Sequence, residues 1–167
     1  MIATDRRAPC EGHGDPDGFL GIANKDLQMS DANAIIAMER AALDRWGVGD
    51  PRGYLEIMAP EVTYFDPVHE RRVDGLRAIT ALLESWTGKI KVDRYDMVSP
   101  RVQQHSDAAL LTFNLVSYRR RADGTEHAIA HWNSTEVYAR VDAGWRIIHS
   151  HWSFVKPELK QSVSEEA

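Results

Sequence analysis

The chain has 167 residues, 43% hydrophobic and 27% charged, which is enough for one domain with a real core. Its net charge of -5 at pH 7 argues against nucleic-acid binding, which needs a concentrated basic face. A single cysteine, Cys10, excludes an intramolecular disulfide and a cysteine-based zinc set, and no apolar run approaches membrane-spanning length.

Residues 1–29 are rich in Gly, Asp and Pro without a sustained period, and are expected to form a flexible N-terminal tail. Arg6 and Arg7 lead into no apolar segment, so a cytoplasmic protein is expected. The folded domain is expected over 30–160, with a short C-terminal tail at 161–167. Ser30 or Asp31 can cap a first helix, in which Ile35, Met38, Ala42 and Trp46 recur at helical spacing up to Gly47 or Gly49. Asp50-Pro51 opens a short second helix carrying Tyr54, Leu55 and Met58, with Pro60 as its stop. Val62 to Asp66 reads as a strand ending at Pro67. Asp74-Gly75 starts a third helix with Leu76, Ile79, Leu83 and Trp86 on one stripe and Gly88 as its end.

After Gly88 four long strand-like segments follow, KVDRYDMVSPRVQQ, AALLTFNLVSYRR, EHAIAHWNSTEVYARV and GWRIIHSHWSFV. Turn-forming residues at 105–107, 122–124 and 142–144 separate them. Helices first and an antiparallel meander afterwards give an α+β fold: a cone-shaped, curved antiparallel sheet with three N-terminal helices packed across it. The basic run Arg119-Arg120-Arg121, followed by Asp123 and Glu126, reads as a solvated hairpin end.

Side chains two apart share a face of a strand. On GWRIIHSHWSF this groups Trp145, Ile147, His149 and His151, a set assigned to the cavity because Arg146 sits more easily outside. On the strand before it, Glu136 is placed outside, so His131 and Asn133 point inward. Trp132, Tyr138, Trp152 and Phe154 then form an outward apolar sheet face suited to a homodimer.

The order of elements, the segment Tyr64-Phe65-Asp66-Pro67-Val68 with Gly75 nine positions after Asp66, and the closing GWRIIHSHWSF resemble the SnoaL-like proteins of the nuclear transport factor 2-like superfamily. The last strand is most similar to the group that includes the calcium/calmodulin-dependent kinase II association domain. The resemblance implies a cone-shaped α+β fold that serves both enzymes and assembly domains, so fold leaves function open. In ketosteroid isomerases the general base is the aspartate of an Asp-Pro-Val segment, which corresponds to Asp66 here. Their oxyanion tyrosine falls near Ala42 and their acidic partner near Asn133, departures that argue against a steroid isomerase.

Three readings follow. The first is a cofactor-free acid–base enzyme, of isomerase, dehydratase, cyclase or lyase type, on a small hydrophobic molecule. Its catalytic candidates are Asp66 as base with Tyr64, His149 and His151, and its substrate-binding candidates are His131, Asn133, Trp145 and Tyr118. No Gly-rich phosphate loop implies a nucleotide cofactor. The second is a non-catalytic ligand-binding or homo-oligomer assembly module. The third is a metal site on His149 and His151, with His131 or Asp66 as a third ligand.

Overall fold

The computed structural model describes residues 16–142 and 144–156, with side chains from residue 31 onward. Cys10 and the 161–167 tail lie outside the described residues. Helix α1 spans Pro16–Gly47, so the expected start at Ser30–Asp31 lies inside it. From Asp31 on, α1 turns Ile35, Glu39, Ala42 and Leu43 into the core. Helix α2, Arg52–Leu55, packs so closely on α1 that a Cβ on Gly53 would lie 2.9 Å from the Arg45 Cβ. Helix α3, Leu76–Glu84, buries Ile79 and Leu83. It ends before Trp86, which is 39% exposed rather than packed as the helical stripe suggested.

Strand β1 covers Met58–Phe65 and runs through Pro60, which was expected to be a stop. The short β2, Val73–Asp74, folds back on it, and the turn into α3 needs Gly75 at φ 83°, with its N–H donating to Val62 O at 2.8 Å. Four long strands complete the sheet: β3 Arg94–His105, β4 Ala108–Arg120, β5 Glu126–Val141 and β6 Gly144–Phe154. Ser106, Asp142 and Gly124 take the positive φ that their tight turns require.

The strand order is β2-β1-β6-β5-β4-β3. The four long strands form the antiparallel meander read from the sequence, and β1 joins β6 parallel. The helices cover the concave side of this α+β cone, where Leu111, Phe113, Leu115, Tyr138, Trp145 and Ile147 form the sheet's share of the core. Among the described residues no helix is long and apolar enough to cross a membrane.

Candidate functional site

A cavity of about 330 Å³ lies between the helices and the sheet, within the size range of small-molecule sites. Its body is aromatic. Trp152 stands edge-on to Tyr54, Phe113 and Trp132, with ring centroids 6.5, 5.6 and 6.0 Å away, and Trp46 meets Tyr54 edge-on at 6.2 Å. Tyr64 and Asp66 line its β1 end, Ser150 and Trp152 come from β6, and Ser117 and Arg119 from β4.

Asp66 is held in place by its neighbours. The Tyr64 hydroxyl donates to Oδ2 at 2.8 Å, the Val68 N–H donates to Oδ1 at 2.8 Å, and His69 Nδ1 lies 3.3 Å from Oδ1. Burial, reinforced by the Asp66 charge, pushes the Tyr64 phenol well above its usual range, so the hydroxyl keeps its proton. The Asp-Pro turn thus points the carboxylate at the cavity, and only 19% of its side chain is exposed.

The histidines stand elsewhere, and the cause is one residue. Along β6, Trp145 and Ile147 are buried as expected, and Ile147 pairs with Tyr138. The next pair is His149 with Val137, which leaves Ile148 as an extra residue in a β-bulge. The bulge inverts the phase, so Ser150 and Trp152 face the cavity while His149 and His151 face the opposite side of the sheet. There His149 Nδ1 is hydrogen-bonded to Thr63 Oγ1 at 2.7 Å, and both rings pack on Phe65, at 5.8 and 5.4 Å. Burial, then the neighbouring His151 and Arg72, lower the His149 pKa.

The remaining candidates also lie off the cavity, and on β5 it is Ser134 and Glu136 that face inward. His131 and Asn133 are exposed, and Asn133 Oδ1 accepts from Asn114 Nδ2 at 2.7 Å on the outer face. Tyr118 also lies off the cavity, donating to Asp96 at 3.0 Å under the Arg94 guanidinium. Trp145 is buried in another part of the core, where its indole N–H donates to Asp31 Oδ1 at 3.2 Å. Trp132 and Trp152, expected outside, line the cavity, and Tyr138 is fully buried. The metal reading finds no third ligand: among the described residues no three His, Cys, Asp or Glu side chains are grouped to hold an ion.

What the sequence reading missed is a buried acidic network behind the cavity. Glu39 on α1 is fully buried and accepts from Tyr54 Oη at 2.8 Å and Tyr138 Oη at 2.7 Å. Glu136, expected outside, is fully buried too. Its Oε1 accepts from Ser150 Oγ at 3.0 Å and Ser134 Oγ at 3.2 Å, while Oε2 has no partner of ordinary hydrogen-bond geometry. Burial raises Glu39 to about 7 against the two tyrosine hydrogen bonds. Burial first and the Glu39 charge second raise Glu136 well above the carboxylate range, offset in part by the two serines and the Trp152 indole. Two signals were legible: Glu39 lies four residues after Ile35 and three before Ala42, and Glu136 shares its phase with Trp132 and Tyr138.

A curved α+β cone with helices on its concave face and an apolar cavity between them is the nuclear transport factor 2-like architecture. The family model of the calcium/calmodulin dependent protein kinase II association domain matches residues 22–156, and the chain belongs to that family. It is similar to a provisionally assigned ketosteroid isomerase of Parabacteroides distasonis, with 38% identity, 74% of this chain and 87% of that one covered, and a TM-score of 0.64. An NTF2-like protein of Novosphingobium aromaticivorans shares the fold at 19% identity and TM-score 0.68, over 87% of this chain and 94% of that one. The C. elegans CaMKII association domain shares it at 18% identity and TM-score 0.65, over 77% and 98%. Among curated proteins there is no match.

Proposed function

We propose that the chain is a cofactor-free acid–base enzyme of isomerase or lyase type, acting on a small hydrophobic molecule in the aromatic cavity. The observation that carries this reading is a carboxylate, Asp66, aimed into that cavity and oriented by the Tyr64 hydroxyl. Asp66 takes a proton from a carbon next to a carbonyl, and the electron pair moves onto the carbonyl oxygen. Burial favours the protonated form of Glu136, which donates to Ser150 Oγ and frees the Ser150 hydroxyl proton for that oxygen. Protonated Asp66 then returns the proton, at the same carbon or at the far end of the conjugated system. The likeness to the Parabacteroides protein supports this class of chemistry.

A β,γ-unsaturated ketone, 3-cyclohexenone, tests it, because isomerisation to the conjugated ketone is followed by ultraviolet absorbance. Wild-type protein is expected to accelerate the reaction and Asp66→Asn to lose roughly 100-fold or more. Undiminished turnover by Asp66→Asn removes the carboxylate from the chemistry.

The outer sheet face favours self-assembly as a second reading, supported by the association-domain family. Cross-strand rows place Val137 beside His149 and Thr135 beside His151, with Phe65 at 41% and Val98 at 43% exposure on the same face. On this reading a homodimer packs through that face, and Val137→Lys lowers the mass measured by light scattering to that of a monomer. A monomeric wild-type protein, or a variant of unchanged mass, counts against it.

A further inference from the structure

Among the described residues, three groups touch the Asp66 carboxylate, and they differ in whether they trade protons with water. The Tyr64 hydroxyl on Oδ2 is buried, and burial together with the Asp66 charge holds its proton in place. The Val68 N–H on Oδ1 is a backbone donor that does not titrate. The third group is the His69 imidazole, whose Nδ1 stands 3.3 Å from Oδ1. An imidazole takes up and releases a proton near neutral pH, and its two nitrogens face different partners. The turn builds this contact. The His69 N–H donates to Asp66 O at 3.2 Å, so the backbone brings the ring back to the carboxylate three residues on. The His69 side chain is 36% exposed against 19% for Asp66, so the imidazole joins a shielded base to the solvent.

We propose that His69 is a proton relay that exchanges the proton taken up by Asp66 with bulk water, an inference that rests on the acid–base reading. With Asp66 ionised, the neutral ring donates Nδ1–H to Oδ1 and keeps a lone pair on Nε2. Once Asp66 has taken a proton from the substrate, its oxygen no longer favours Nδ1–H, and the ring shifts its own proton to Nε2 through water. The carboxyl proton then passes from Oδ1 to Nδ1, and Nε2–H is released to water. That restores the ionised carboxylate and the Nδ1–H ring. Entry runs by the reverse steps: Nε2 takes a solvent proton and Nδ1–H moves to Oδ1. Each direction moves one proton and needs no further reactant. The consequence is that the hydrogen Asp66 returns comes from water, not from the carbon it was taken from.

Isomerisation of 3-cyclohexenone in D2O tests the relay, because removal at C2 and return at C4 label C4 only when the proton has exchanged with solvent. Wild-type product taken at early conversion is expected to carry mostly deuterium at C4 by NMR. His69→Gln keeps an amide N–H for Oδ1 but does not titrate. It is expected to lower the C4 label roughly fivefold while turnover stays within about threefold of wild type. Wild-type product that carries the substrate's own hydrogen overturns the relay. So does a His69→Gln variant, fast or slow, that labels C4 as wild type does, which leaves His69 a positioning residue at most. Wild-type protein without turnover, or Asp66→Asn with undiminished turnover, sinks the acid–base reading and the relay with it. A second arm needs no substrate: in 1H–15N spectra at about pH 8 the His69 ring of wild-type protein is expected to carry its proton on Nδ1. A ring protonated only at Nε2 overturns the relay whatever the turnover.

Discussion

Replacing Glu39 with glutamine should flatten part of the pH dependence of folding. In the folded chain Glu39 is fully buried, held only by two tyrosine hydroxyls, and its pKa is pushed from 4.5 to about 7. The folded state therefore binds this proton more tightly than the unfolded chain does. Stability from this group is complete below pH 4.5, falls as pH rises from 4.5 to about 7, and stays low above that. At 1.36 kcal/mol per pKa unit the loss is about 3 kcal/mol. Groups with lowered pKa values act in the opposite sense. His149 favours folding as pH rises through its range, and Asp31, Glu56 and Asp74 do so at lower pH. Subtracting the two proteins cancels these contributions, while Glu136, raised in part by the Glu39 charge, is raised less in Glu39→Gln and adds to the difference in the same direction. Urea unfolding followed by tryptophan fluorescence, at matched protein concentration, reads the difference. Between pH 4.5 and 8, Glu39→Gln should gain about 3 kcal/mol on wild type. A difference that does not change over that range refutes the reasoning.

Tyr64→Phe removes the hydroxyl that orients Asp66 and should lower kcat for 3-cyclohexenone by roughly tenfold with little change in KM, measured by steady-state kinetics. Gly53→Ala drives a Cβ to 2.9 Å from the Arg45 Cβ and 3.0 Å from Ala42 O at the α1–α2 contact. It should cost about 1–3 kcal/mol in urea unfolding, because two backbones must part. His151→Ala should leave turnover within a factor of about two, since the ring stands on the outer face against Phe65. Ser150→Ala, one residue away, should lower turnover by roughly tenfold or more, because it removes the cavity hydroxyl bound to Glu136.

The long strands β4 and β5 and their turns were legible because alternation and turn residues act locally, within a few residues. The Asp66 turn was legible for the same reason, since an Asp-Pro opener and a glycine needed at φ 83° are local chemistry. Which face of β6 looks inward is a different kind of fact. Alternation propagates a phase only through unbroken pairing, and Ile148 breaks it midway. Glu136 failed for a related reason: a carboxylate was assigned to water by residue type, although its neighbours in phase, Trp132 and Tyr138, pointed to the interior. Burial of that acid rests on Ser134, Ser150 and the neutral form favoured by its surroundings, partners that come from two strands and from tertiary packing. Arg119 was hidden by its neighbours, because a run of three arginines looks solvated until the strand separates their faces.

The bulge has a further consequence for how the two functional readings relate. With an unbroken phase, His149 and His151 would face the cavity and Ser150 and Trp152 the outer side. With Ile148 inserted, His149 and His151 join Thr63, Phe65 and Val137 on the outer face, while Ser150 and Trp152 join Asp66 and Arg119 around the cavity. A partner seated on the outer face would cover none of the cavity-lining side chains of β6. Assembly and catalysis are therefore separable on this fold. The enzymatic reading stands on the cavity side chains alone, and loss of self-association through Val137 should not by itself remove turnover.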